Sequence, residues 1–114
     1  MSAKYNLVCD QATTFYFQFQ ILNDQTPWNL GGYTGTMTVR PFVGASTTTV
    51  VASTDNGRMV LDTSAGRIEV TLSAAVTGAI SAGRYSYDLV LESSGGVVTR
   101  LLEGKFVVTG AVTT

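Results

Sequence analysis

Apolar and polar residues alternate in several stretches of this chain, and this alternation limits the fold more than any other feature of the sequence. The clearest run is Phe15-Tyr16-Phe17-Gln18-Phe19-Gln20-Ile21, in which the large apolar residues occupy every second position. Successive side chains of a strand point to opposite faces, so such a run predicts a strand with one buried and one solvent-facing side. Segments 36–40, 67–72 and 85–92 have the same pattern. The chain is therefore predicted to consist mainly of half-buried strands.

The last predicted strand, 97–109, is apolar on both faces. Its apolar residues divide by parity into Val98, Leu102, Phe106 and Val108 on one face and Val97, Leu101 and Val107 on the other. Such a strand is either central in a sandwich or covered on its outer face by another chain. We assign the first set to the core and expect both Val98→Asp and Leu102→Asp to unfold the domain, because a buried charge is costly.

Turn signals separate the strands at short intervals. Asp55-Asn56-Gly57 predicts a tight hairpin turn because Asn-Gly tolerates positive φ, and Ser93-Ser94-Gly95-Gly96 is similar. One short helical turn is predicted after Ser73, which can cap it, with Gly83 just past its end. This pattern predicts an all-β fold: a single antiparallel β-sandwich of immunoglobulin-like or related topology, with about eight strands and one short helical turn, over residues 1–114. A partly open barrel is the alternative.

Charge excludes some functions. Charged residues make up 13% of the chain, the net charge is −1, and the seven Lys and Arg residues are scattered singly. Nucleic acid and membrane are therefore not expected as partners, since no basic cluster and no apolar run of roughly 20 residues is present. Residues 1–6 lack the apolar core of a signal peptide, so we expect synthesis in the cytosol and retention there until assembly. Because interface cores are depleted in charge, the low charge favours a surface that other subunits cover.

Catalytic chemistry finds little support. The chain has no histidine and one cysteine, Cys9, which removes histidine-based triads and almost all zinc sites. Asp88 and Glu92 share a strand face but lie roughly 13 Å apart, too far for a glycosidase pair. We predict no enzymatic activity, no catalytic residue, no cofactor and no metal.

Candidate binding residues fall into two groups. The outward positions and the C-terminal tail provide a predicted protein interface, which comprises Tyr16, Gln18, Gln20, Thr99, Leu101, Val107 and Val112. Trp28 and Tyr33 form a weaker candidate ligand site, because aromatic rings in a loop can stack on a sugar. The competing interpretation of Trp28 is a plug at one end of the core.

Several motifs agree in order and spacing with a known family. They include Asp10-Gln11-Ala12-Thr13-Thr14-Phe15, Gly83-Arg84-Tyr85-Ser86-Tyr87-Asp88-Leu89 and segments 4–7, 29–34, 37–40, 72–77 and 96–104. Together they resemble small virion domains of tailed phages, including cyanophages, which also form the N-terminal domains of BppU-type baseplate and tail-fibre proteins. Ala12 stands where that family has glycine, which argues against a positive-φ turn there.

The resemblance implies a non-enzymatic structural role in the virion. The expected function is a tail, baseplate or fibre adaptor that binds other virion proteins and is present in several symmetric copies. Capsid decoration, as a head-fibre or cement protein, is the alternative. A carbohydrate-binding module that uses Trp28 and Tyr33 is the second alternative.

Overall fold

Two facing β-sheets and a separate two-stranded sheet make up the structure, a computed structural model that describes residues 3–23, 26–27, 29–62 and 65–110. The elements in chain order are β1 (Ala3–Lys4), β2 (Leu7–Asp10), β3 (Phe15–Gln20), β4 (Leu22–Asn23), β5 (Thr26–Pro27), β6 (Thr34–Arg40), β7 (Val50–Ser53), β8 (Met59–Asp62), β9 (Arg67–Leu72), α1 (Ala74–Gly78), β10 (Gly83–Glu92) and β11 (Val98–Thr109). Eight of these strands have four residues or more, as predicted.

The sheet topology is immunoglobulin-like. The larger sheet has the order β1-β11-β10-β6-β7, with β2 also paired to β11, and the smaller sheet has the order β3-β9-β8. The chain thus passes from one sheet to the other four times: between β2 and β3, between β3 and β6 by way of the β4–β5 pair, between β7 and β8, and between β9 and β10. These crossings match the connectivity of immunoglobulin-like sandwiches. The predicted all-β sandwich is confirmed. Its pairing is antiparallel except at one edge, where β1 and β2 run parallel to β11.

The core lies between the two sheets and follows the predicted alternation. Its fully buried side chains come from both sheets and include Met37, Val39, Ile68, Val70, Leu89, Leu91 and Phe106. Phe15 and Phe106 meet edge to face across the core, with ring centroids 5.4 Å apart. Phe17, Phe19 and Ile21 are partly buried and pack against this core.

A β-bulge in β11 changes which of its residues face the core, compared with the predicted alternation. Leu102 lies opposite Leu89, but the next pair along β10 is Val90 with Arg100, so Leu101 is an extra residue. One inserted residue moves every later side chain to the other face. Val98 consequently lies opposite Glu92 and is 60% exposed, so its assignment to the core was wrong. Leu102 lies on the C-terminal side of the bulge, where the faces are as predicted, and it is buried.

The Asp55-Asn56-Gly57 turn does not form a hairpin within one sheet. It is tight, with Gly57 at φ +81° and the Asn56 side-chain oxygen accepting from the backbone N–H groups of Ser53 and Arg58 at 3.0 Å each. However, β7 pairs with β6 in the larger sheet, and β8 pairs with β9 in the smaller one. The turn therefore carries the chain between sheets, because Asn-Gly dictates local backbone geometry and not which neighbour each strand finds.

The connection from β9 to β10 contains the predicted helical turn. Ser73 Oγ accepts a hydrogen bond from the Val76 N–H at 3.3 Å and caps α1. The helix ends at Gly78, and Gly83 begins β10 instead of closing the helix, so that part of the prediction was wrong. The Tyr85 hydroxyl donates to the Ser81 carbonyl at 2.6 Å. Such a tyrosine at the start of this strand is a recurrent feature of immunoglobulin-like domains.

Ala12 adopts the backbone conformation that its side chain had argued against. Its φ is +65°, within a turn in which Thr13 N–H donates to the Asp10 carbonyl at 3.3 Å. The turn is supported from outside: Thr77 Oγ1, on α1, donates to the Thr13 carbonyl at 2.6 Å. These contacts hold alanine in a region that costs L-residues roughly 1–2 kcal/mol.

Candidate protein-binding surface

The loop between β6 and β7 displays two large apolar side chains in solvent. Phe42 is 62% exposed and Val43 is 85% exposed. They occupy a β-turn in which the Ala45 N–H donates to the Phe42 carbonyl at 3.1 Å and Gly44 has φ +87°. A positive φ at the third position is what a type II turn requires. The turn therefore places Val43 at its outermost corner.

Arg40, the last residue of β6, anchors this loop. Its Nη1 donates to the Ala45 carbonyl at 3.1 Å and lies 3.4 Å from both the Thr47 carbonyl and Thr48 Oγ1. The loop closes where the Thr49 N–H donates to the Val39 carbonyl at 2.7 Å. Phe42 and Val43 are thus held outward by a bonded frame, so their exposure does not result from a loop that lacks internal contacts.

A groove of ≈ 200 Å³ lies beside the loop, on the outer face of the larger sheet. Its lining combines Phe42 and Val43 at the rim with Thr38, Ser86, Asp88, Arg100 and Glu103. Arg100 Nε lies 3.3 Å from Asp88 Oδ2, and its Nη1 lies 3.9 Å from Glu103 Oε1. These partly exposed pairs add little stability. They provide instead a polar floor with one cation between two carboxylates, next to an apolar rim.

The predicted interface residues do not form one surface. Tyr16, Gln18 and Gln20 are exposed on β3, on the outer face of the smaller sheet. The Tyr16 hydroxyl lies 3.1 Å from both Gln18 Oε1 and Glu69 Oε1. Thr99, Leu101 and Val107 belong to β11 in the larger sheet. The two sets therefore lie on different sheets of the sandwich.

Two of the predicted β11 residues do not face outward, because of the bulge. Thr99 lies opposite the buried Leu91 and is itself half-buried, so it shares the inner face. Leu101, the inserted residue, packs against the core cluster. Val107 does lie on the outer face, where it is half-buried between Val8 and Arg84 on the neighbouring strands.

Of the predicted ligand pair, Trp28 and Tyr33, the structure describes only Tyr33. Trp28 lies outside the described residues, as does Val112 of the predicted interface. Tyr33 is half-buried and packs against the core. Sugar stacking by Trp28 and Tyr33 therefore stays a prediction.

The part of the chain that the structure describes contains no group of three or more His, Cys, Asp and Glu residues placed to hold a metal ion. Cys9 is 1% exposed, and burial, followed by the nearby Asp10 carboxylate, raises the pKa of its thiol. A raised pKa keeps the thiol protonated and poorly reactive. Nor does any helix in the described ranges have the length and apolar character needed to span a membrane.

Sequence reasoning missed Phe42 and Val43. A usable signal was present, since an apolar pair between Pro41 and Gly44, followed by a run of Ser and Thr, falls in a turn and outside the alternating pattern. Large apolar residues that belong to no alternating strand face are candidates for an exposed apolar patch. That signal would have marked this loop as a candidate surface.

Comparison with known proteins identifies no family. No protein-family model and no curated protein matches the chain. Among solved structures, the extracellular domains 3–5 of Drosophila OTK match with a TM-score of 0.39 and 13% identity, over 90% of this chain and 32% of that one. The chain thus spans about a third of that structure.

Proposed function

We propose that this chain is a non-enzymatic structural domain of a tailed-phage virion that binds another virion protein through the Phe42–Val43 loop and the adjoining groove. The favoured position is the tail, as a baseplate or fibre adaptor, because the sequence motifs resemble BppU-type N-terminal domains. The observation that carries the binding role is the pair of exposed apolar side chains on a hydrogen-bonded turn.

The loop has the composition of an interface core beside a polar rim. Protein interfaces enrich large apolar residues at the centre and place charged groups at the periphery. Phe42 and Val43 match the centre, and the Arg100, Asp88 and Glu103 group matches the periphery. Because hydrogen bonds from Arg40 already hold this loop in one conformation, binding would order fewer groups, which favours affinity.

The test of the virion role is the location of the protein on particles. Gold-labelled antibodies raised against the recombinant chain would be applied to purified virions of the phage that encodes it. We expect label at the tail. Label over the capsid would replace the adaptor role with capsid decoration, and unlabelled particles that carry no copy by mass spectrometry would refute both.

A second experiment tests the surface. Recombinant chain with Phe42→Ser and Val43→Ser is added to particles assembled without the wild-type protein, and incorporation is measured. We expect loss of incorporation with an unchanged melting temperature, because both side chains are exposed. Val60→Ser is the matched control, since Val60 is 56% exposed on the other sheet. Equal incorporation of the loop variant and the control would contradict the proposed surface.

A further inference from the structure

Strand β3 (Phe15–Gln20) forms one edge of the smaller sheet. It pairs with β9, and among the described residues no strand pairs with its other side. An edge strand presents unpaired N–H and C=O groups that can accept another strand. The question is which of its groups are available and what they fit.

The register with β9 identifies the free groups. Phe15 to Gln20 lie opposite Leu72 to Arg67, and the Ile21 N–H, one residue further, donates to the Gly66 carbonyl at 2.8 Å. Hydrogen-bonded and non-bonded positions alternate along an antiparallel pair. The odd-numbered residues of β3 therefore bond to β9, and the backbone groups of Tyr16, Gln18 and Gln20 point away from the sheet.

This edge carries none of the features that normally block pairing. Charged side chains, proline and bulges protect edges in soluble proteins. Segment 15–20 contains no charged residue and no proline, and its register with β9 is regular throughout. An unprotected edge of this length is expected to be paired in the working protein.

The inner side of the same edge is apolar and incompletely covered. Phe17 and Phe19 are half-buried, with ring centroids 5.5 Å apart, and Tyr5 stacks at 5.7 Å from Phe17. Together with Leu102 they line a groove of ≈ 240 Å³. A strand added at this edge would place its own inward side chains over these rings.

We propose that the occupant is β3 of a second copy, paired antiparallel about a two-fold axis at Gln18. Opposite residues are then Gln18 with the partner's Gln18, Tyr16 with the partner's Gln20, and Gln20 with the partner's Tyr16. All three pairs are hydrogen-bonded positions, so each free N–H and C=O of these residues gains a partner. On the inner face Phe17 meets the partner's Phe19, an aromatic cross-strand pair. The uncharged edge brings no like charges together, and the two small sheets become one continuous sheet.

Cross-linking tests the register directly. Opposed residues at a hydrogen-bonded position have Cα atoms about 5.5 Å apart, within the range of a disulfide. Gln18→Cys should therefore form a disulfide-linked dimer under mild oxidation. Gln20→Cys is the matched control, because the two copies of position 20 would lie more than about 13 Å apart. The native Cys9 is buried and does not compete. Equal cross-linking of both variants, or of neither, would overturn the proposed axis.

Sedimentation of the unmodified chain provides the second readout. We expect a dimer at micromolar concentration and a monomer for Gln18→Lys, which places two like charges at the axis. Val60→Lys, on the opposite edge strand β8, should leave the dimer intact. A wild-type monomer at about 100 µM, or a dimer that survives Gln18→Lys, rules the proposal out. The dimer and the phage role are tested separately, since neither measurement uses virions.

Discussion

Gly104 lies in the middle of β11, beneath the point where the N-terminal segment crosses from β1 to β2. A Cβ added to Gly104 would collide with the Tyr5 carbonyl oxygen, and it would lie 2.9 Å from that carbonyl carbon and 3.0 Å from Asn6 Oδ1. The crossing is held by three hydrogen bonds: Tyr5 N–H to the Glu103 carbonyl at 2.9 Å, Lys105 N–H to Asn6 Oδ1 at 3.1 Å, and the Tyr87 hydroxyl to the Tyr5 carbonyl at 2.6 Å. Gly104→Ala must displace Tyr5 and Asn6, because the obstacle is mostly backbone.

The cost follows from these contacts. Overpacking a filled site costs about 1–3 kcal/mol, and each lost hydrogen bond about 1 kcal/mol. We therefore expect Gly104→Ala to lower the free energy of unfolding by roughly 3 kcal/mol, or the melting temperature by roughly 10 °C. Urea unfolding followed by circular dichroism measures the change. Gly95→Ala, in the exposed β10–β11 hairpin, is the control and should stay within about 0.5 kcal/mol of wild type.

A double-mutant cycle sharpens the test. If the crossing moves as described, Gly104→Ala already breaks the bond from Tyr87 to Tyr5, so adding Tyr87→Phe should cost less than it does in the wild type. Additive effects, or a Gly104→Ala protein as stable as the Gly95→Ala control, would refute the close approach of Tyr5 to Gly104.

Three further substitutions test other features. Ala12→Gly should raise the free energy of unfolding by about 0.5–1 kcal/mol by relieving the positive φ, whereas Ala79→Gly, at φ −85°, should lower it. Urea unfolding midpoints measure both changes, and a change of the same sign in the two variants would contradict the argument. Leu102→Asp should unfold the domain, whereas Val98→Asp should lower the free energy of unfolding by less than about 1 kcal/mol. Thermal melts measure both, and similar losses of stability in the two variants would mean that the bulge is misplaced. Burial raises the pKa of Tyr87 from 10.0 to about 12. Its contribution to stability is complete below pH 10 and is lost as the pH rises toward 12, so stability should fall in that window and fall less in Tyr87→Phe. Identical profiles of stability against pH in the two proteins would show that Tyr87 does not cause the fall.

Alternation predicted the core because strand side chains face alternate sides whatever the partner strand. The inward residues of 15–21, 36–40 and 67–72 were identified correctly for this reason. The same rule failed on the N-terminal side of Leu101. The single inserted residue there reverses the faces on which Thr99 and Val98 lie, and no local pattern marks that insertion. Bulges depend on how β11 fits β10, which is a tertiary property.

The pairing of strands across the two sheets was harder to predict from the sequence. Asn56-Gly57 specified a tight turn correctly, but whether the flanking strands pair with one another depends on competition from β6 and β9. The candidate surface was the least predictable part. The outward orientation of Tyr16, Gln18 and Gln20 was predicted correctly because they alternate with phenylalanines. Phe42 and Val43 instead belong to a turn whose exposure depends on the bonds from Arg40.

The parallel pairing of β1 and β2 with β11 has a mechanical consequence. The paired segments run from Ala3 beside Leu102 to Asp10 beside Thr109. A pull on the chain at Ala3 and at Thr109 in opposite directions therefore slides the two strands along each other. The ladder bonds then resist together, whereas peeling from one end would break them in turn. Under tension along the strand direction, the first and last strands act as a clasp that must yield before the sandwich behind it can open.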